Sequence, residues 1–174
     1  LKETEKVAFI GEFAKKPRFQ GGGSSHINSF RISNVIDSIS PDATVRYAKG
    51  FSADDDVYDE TLAKEALETA KCADKVVVFA GLPDSFESEG YDRSHMCLPG
   101  CQNRLIEEIL SVQSEVIIVL HNGSPVEMPW LSKVKGVLEA YLGGQAVGEA
   151  VADLLYGRAC PCGKLAESMP YKLS

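Results

Sequence analysis

The chain has 174 residues, enough for one domain with a buried core. Its net charge of −7 argues against a nucleic-acid partner, which selects for a basic patch. Its longest apolar runs, at 76–81 and 116–120, are far too short to span a membrane.

From the start of the chain, short β-rich runs alternate with amphipathic helical stretches. Residues 7–11 form a compact apolar run that ends in glycine and reads as a buried strand. Over 29–40, Ile32, Val35, Ile36 and Ile39 recur at helical spacing; Asn28 or Ser29 is the expected cap and Ser40-Pro41 the stop. Residues 44–48 read as a second strand and 59–71 as a helix with Leu62, Ala63, Ala66, Leu67 and Ala70 on one side. The run at 75–81 is the strongest strand signal. A helix over 101–112, a strand over 115–120, a shorter strand over 136–141 and a helix over 145–156 follow. Gly157 is placed to stop that last helix. A short edge strand is expected near Lys164-Leu165-Ala166.

This alternation predicts an α/β fold. It would be a three-layer sandwich with a mostly parallel sheet of about five or six strands and helices on both faces. The whole chain, 1–174, reads as one domain. Working loops in such sheets lie beyond the carboxyl ends of the strands. Three loops qualify, at 11–28, 82–99 and 121–130, and the topology puts them along one edge.

The first loop contains Gly21-Gly22-Gly23-Ser24-Ser25, where glycines allow close backbone approach and serines add hydroxyl donors. It matches neither a Walker loop nor a dinucleotide fingerprint, so nucleotide binding is set aside. The second loop carries Asp84, Glu87, Glu89, Asp92 and Arg93 directly after the best strand, with Gly90 permitting a sharp turn after Glu89. Carboxylates in that place suit general acid–base work, against the plainer reading of a solvated acidic loop. On chemistry alone Glu87 and Glu89 are equivalent candidates. In the third loop Asn122-Gly123 signals a turn, and Trp130 is expected to pack rather than to stack on a sugar. His26 and His121 lack a nucleophile context and read as structural.

The five cysteines, Cys72, Cys97, Cys101, Cys160 and Cys162, read as the reduced thiols of a cytoplasmic protein. Cys160-Pro161-Cys162 lacks the spacing of a zinc site, so no metal and no cofactor are expected. The opening Leu1-Lys2-Glu3 carries neither an initiator methionine nor a signal-like segment, and reads as a cut inside a longer chain.

Taken in order, four segments resemble the C-terminal α/β-sandwich domain of glycoside hydrolase family 3, the β-glucosidase family. They are Pro17-Arg18-Phe19-Gln20-Gly21-Gly22-Gly23-Ser24-Ser25 after the first strand, and Glu89-Gly90-Tyr91-Asp92-Arg93 with Leu98-Pro99-Gly100. The others are Gly123-Ser124-Pro125 with Met128-Pro129-Trp130, and Gly143-Gly144-Gln145 through Gly157 to Gly163-Lys164-Leu165. The stretch Cys160-Pro161-Cys162 departs from the family's usual Asn-Pro-Ser, in a packing segment.

The resemblance implies retaining hydrolysis of β-glucosides or oligosaccharides. Glu89 would be the general acid/base, since the family motif sets the catalytic Glu before Gly-Tyr-Asp-Arg, with Glu87 as the rival. Gly23, Ser24 and Ser25 would lie against the sugar, and Asp92 and Arg93 would brace the loop. The Asp nucleophile would come from an N-terminal (β/α)8 barrel of the same polypeptide. The chain alone is then expected to be inactive, with Glu89 titrating as an ordinary exposed glutamate. β-Xylosidase or another β-glycosidase activity of the family is the enzymatic alternative, and a carbohydrate-binding or scaffold module the other.

Overall fold

In the computed structural model, which describes residues 1–173, the chain folds around one five-stranded, wholly parallel sheet. The strands are β1 (Lys6–Ile10), β2 (Thr44–Ala48), β3 (Lys75–Gly81), β4 (Val116–His121) and β5 (Gly136–Glu139), in spatial order β2-β1-β3-β4-β5. The helices are α1 (Val35–Ser38), α2 (Glu60–Lys71), α3 (Gly100–Val112) and α4 (Val147–Leu155).

The three central strands are buried almost end to end, as parallel strands covered on both faces must be. Phe9 pairs in register with Val77, and Phe79 with Val119. The Phe9 and Phe79 rings meet edge to face at 5.1 Å. Helix α2 packs on α3 and α1 on α4; right-handed crossovers set these pairs on opposite faces of the sheet. Asp59 caps α2 by accepting from the N–H groups of Thr61 and Leu62. Gln102, fully buried on α3, donates to the Gly81 carbonyl at 3.0 Å and accepts from its N–H at 2.9 Å, which fixes the end of β3. Trp130 is fully buried, with Nε1 donating to Asn103 Oδ1 at 3.0 Å, so it packs as expected.

Three expectations about elements are corrected. The helix predicted over 29–40 shrinks to Val35–Ser38. Asn34 caps it, accepting from the Asp37 N–H at 2.9 Å, and the stretch before it runs non-helically with Ile27, Phe30 and Ile32 exposed. That stretch is claimed by a tertiary contact: Ser33 N–H donates to the Gln145 carbonyl, and Ser33 Oγ accepts from Gly148 and Glu149 at the start of α4. The fifth strand stops at Glu139, because Tyr141 takes a left-handed conformation with φ 48°. No strand forms at 164–166, which runs as exposed irregular chain beside β5. Gly157, at φ 69°, does end α4. Among the described residues no helix is long and apolar enough to cross a membrane.

Candidate functional site

The three loops leave the carboxyl ends of β1, β3 and β4, which are adjacent in the sheet, and they meet above it. Arg18, from the first loop, joins two of them. It is buried, donates from Nε to Asp84 Oδ1 at 2.9 Å and from Nη1 to the Leu82 carbonyl at 3.0 Å, and grips Glu87 through both the side chain and, at 2.9 Å, the carbonyl. Glu87 is tied on its other side to the third loop by the Gly123 N–H at 2.8 Å and the Ser124 hydroxyl. Burial alone raises a carboxyl pKa. Here the Ser124 and Gly123 hydrogen bonds and the Arg18 guanidinium outweigh burial and hold Glu87 below the usual range. Glu87 is therefore an anchored carboxylate at the junction of all three loops.

Glu89 is placed differently. Ser88 to Tyr91 form a turn closed by the Tyr91 N–H donating to the Ser88 carbonyl at 3.2 Å, with Gly90 at φ 72°. Glu89 stands exposed at the head of this turn. Its Oε2 accepts from the Ser24 N–H at 2.7 Å, and a side chain at Gly23 would overlap the Glu89 carboxylate. The glycine is required by that approach. The Ser24 backbone N–H, with the Ser24 hydroxyl adding to it, holds the Glu89 carboxyl below its ordinary value. This corrects the expectation of an unperturbed glutamate: the contact between two loops stabilises the charged form.

Arg93 is half-buried and donates from Nη2 to Ser124 Oγ at 3.0 Å and to the Pro125 carbonyl at 2.7 Å, which ties the second loop to the third. Its Nη1 is buried and has no partner among the described residues. Asp92 is exposed and makes no side-chain hydrogen bond or ion pair among the described residues. Ser25 is exposed and donates to the Gly22 carbonyl at 2.9 Å, shaping the glycine turn. The geometry thus gathers Gly23, Ser24, Glu87, Glu89 and Arg93 on one edge and leaves Asp92 outside the network.

The two histidines considered from the sequence differ in placement. His121 is fully buried against Phe13, and burial pulls its pKa down to about 4. His26 lies on the surface with Nδ1 3.0 Å from Gln20 Nε2. A crevice of about 290 Å³ opens between the first two loops, lined by Glu12, Lys16, Arg18, Asp54, Asp84 and Ser85. Among the described residues no three histidine, cysteine or carboxylate side chains gather to hold a metal.

Sequence reasoning missed three participants. Arg18 stood inside a quoted motif, but nothing in the sequence marked it as buried. Asn122 read only as part of a turn signal, yet it is fully buried and donates from Nδ2 to the Ser124 carbonyl at 3.1 Å. Glu139, at the end of β5, gave no signal beyond its place after an apolar run. In the fold it accepts from Asn122 Nδ2 at 3.4 Å and from the Tyr141 N–H at 3.0 Å, and burial first of all lifts its pKa to about 7.

The family model of the glycosyl hydrolase family 3 C-terminal domain matches residues 1–174. Thermostable beta-glucosidase B of Acetivibrio thermocellus is 53% identical over 178 aligned residues, covering 100% of this chain and 24% of that protein. An exo-alpha-(1->6)-L-arabinopyranosidase of Bifidobacterium longum is 43% identical, over 98% of the chain and 23% of its own length. The crystal structure of a GH3 beta-glucosidase from Bifidobacterium adolescentis superposes with a TM-score of 0.93 at 42% identity, over 99% of this chain and 26% of that one. The chain spans about a quarter of the length of the relatives it matches.

Proposed function

The chain belongs to the C-terminal domains of glycosyl hydrolase family 3, and from that premise we propose that Glu89 supplies the general acid/base of a retaining β-glucosidase. The observation that carries this reading is the contrast between the two candidate glutamates. Glu87 is locked by Arg18, Ser124 and Gly123, so protonating it would break the junction of the loops. Glu89 projects from a turn and is held by Ser24 alone, through its N–H and hydroxyl, which a proton transfer can release.

Retaining hydrolysis sets two carboxyl groups about 5–5.5 Å apart, one nucleophilic and one delivering and then withdrawing the proton. The nucleophile is assigned to a barrel domain of the same polypeptide, closing over the edge where the three loops meet. A neighbouring carboxylate and loss of water around Glu89 both raise its pKa, against the pull of Ser24, toward the protonated state the first step needs. Gly23, Ser24 and Ser25 form the glycine-serine wall beside the acid and are assigned to the bound sugar. Arg93 braces the loop through Ser124 and Pro125; nothing in its contacts supports the same role for Asp92.

The arabinopyranosidase relative favours one second reading of substrate. An α-L-arabinopyranoside carries its leaving group equatorially, as a β-D-glucoside does, so Glu89 would serve either sugar from the same side. Sugar choice then rests on residues outside this chain. The cysteine usage keeps the cytoplasmic assignment as part of the proposal.

The test is the Glu89→Ala variant of the full-length polypeptide, assayed with an aryl β-glucoside of good leaving group. Turnover is expected to fall by about 10²–10⁴-fold, the usual worth of general acid–base catalysis. Azide is expected to restore it with formation of the β-glycosyl azide. Near-normal turnover without azide would remove Glu89 from the role.

A further inference from the structure

Two carboxylates flank the same turn of the third loop. Glu87 grips Asn122-Gly123-Ser124 from the active-edge side, through the Gly123 N–H and the Ser124 hydroxyl. Glu139 grips it from the sheet side, through Asn122, whose amide donates both to Glu139 and to the Ser124 carbonyl. Asn122 is fully buried, so its pose is set by these partners and not by water.

A second route leaves Glu139 in the other direction. It accepts from the Tyr141 N–H and so holds a residue at φ 48°, a conformation that a tyrosine adopts only when the surroundings impose it. The chain then delivers Leu142 against two of the loops. A methyl group built on Gly123 would come within 3.0 Å of Leu142 Cδ1, and one on Gly21 within 3.8 Å. Two residues on, Gly144 N–H donates to the Phe19 carbonyl at 2.8 Å. Glu139 is thus connected to the third loop through Asn122, and to the first and third loops through Tyr141 and Leu142.

We propose that Glu139 is a positioning residue: through Asn122 and Leu142 it sets the pose of the 121–125 turn and of the glycine loop, and so fixes where Glu89 stands. The proposal rests on the acid/base reading of Glu89 for its functional meaning, but its geometry is independent of it.

The same placement makes the device sensitive to pH. The titratable groups facing Glu139 are Glu87 from the second loop, Glu167 from the C-terminal tail and Tyr141; Asp153 of α4 and Lys164 line the groove beside it. Burial chiefly, with the charges of Glu167 and Glu87, favours the neutral acid, with a pKa of about 7. An opened arrangement would expose Glu139 to water and return it toward 4.5. The closed arrangement therefore binds the extra proton, and by linkage it loses ground as pH rises from 4.5 to about 7. Protonation also brings a hydroxyl donor beside the Asn122 amide, whose buried Oδ1 has no partner among the described residues.

Hydrogen exchange read by mass spectrometry on the full-length polypeptide tests this, with rates corrected for their intrinsic pH dependence. The peptides to follow cover residues 20–26, 84–91 and 121–125. In the wild-type protein their protection is expected to fall as pH is raised from 4.5 to about 7 and to level off above. Glu139→Gln, a permanent mimic of the neutral acid, is expected to keep protection on the alkaline side and to show no step. Glu139→Ala removes both grips and is expected to lower protection about tenfold across the range, the loss of one or two buried hydrogen bonds. Should that variant not fold, Leu142→Ala carries the same test: it keeps the carboxyl, so the pH step remains while 20–26 and 121–125 loosen. Unchanged protection in the alanine variants, or a wild-type pH step surviving in Glu139→Gln, would overturn the proposal. Failure of azide rescue at Glu89 would leave these exchange results standing, so the two readings fail separately.

Discussion

Glu87 and Glu89 lie two residues apart in unlike surroundings, and the difference comes from what each touches. Alternation in an extended segment would point both to one side. The turn at Gly90 instead sends Glu89 outward, while Glu87 turns down onto Arg18. In the Arg18–Glu87 pair the side chains are 5% and 17% exposed, so removing the Glu87 charge leaves the buried guanidinium with only the exposed Asp84 as an ion partner. Glu87→Gln is accordingly expected to cost about 1.5–3 kcal/mol of stability, the worth of a hydrogen bond to a charged group, measured by urea unfolding. It should lower turnover through misplacement of the loop, and azide should not restore it. That response separates a bracing glutamate from a proton donor.

At the scale of elements, helix α4 begins without a local side-chain cap, since Ala146 occupies its N-cap position. Ser33, more than a hundred residues earlier, supplies the cap by accepting from the N–H groups of Gly148 and Glu149 at 3.1 and 3.2 Å. Ser33→Ala is expected to destabilise the protein by about 1 kcal/mol, as loss of an N-cap does, shifting the urea midpoint without changing the slope. At the same crossing a side chain on Gly148 would overlap the backbone of Asn34. Gly148→Ala is therefore expected to cost more than the cap, about 1–3 kcal/mol, despite alanine's better helix propensity. A midpoint raised by that substitution would mean the crossing can open without loss.

For the whole molecule, the pH dependence of stability is a contest among buried groups. Glu12 and Glu87 have pKa values lowered in the fold. At Glu12 burial works against ionisation, but the Ala53 N–H with Lys16 and Lys49 prevails. Their contributions are present above about 4.5 and lost as pH falls through the folded values. His121, buried and neutral, is lowered from 6.5 to about 4, so its contribution is present above 6.5 and lost on the way down. Glu139 runs the other way: raised from 4.5 to about 7, its contribution is present below 4.5 and lost as pH rises toward 7. His121 and Glu139 oppose each other between about 4.5 and 6.5, so stability is expected to be nearly level there and to drop steeply below. In Glu139→Gln one arm is gone, and the urea midpoint should rise with pH across that interval. A variant profile as level as the wild type would remove Glu139 from the account.

The class of fold was legible in the sequence because periodicity and composition are local signals: a short β-branched run such as Val76-Val77-Val78-Phe79, closed by Gly81, reads as a strand covered on both sides. The sequence also placed the three loops on one edge, which follows from parallel strands alone. Tertiary structure decided the rest. The apolar spacing of Ile32, Val35, Ile36 and Ile39 promised a long helix, but Asn34 and the start of α4 claimed its first half, and a distant capping bond outweighs weak helix propensity. Choosing between Glu87 and Glu89 on physical grounds required knowing that Arg18 is buried, a fact of packing. Glu139 could not be foreseen at all, because its character comes from Asn122, Tyr141 and the two acids facing it, which are neighbours only after the chain has folded.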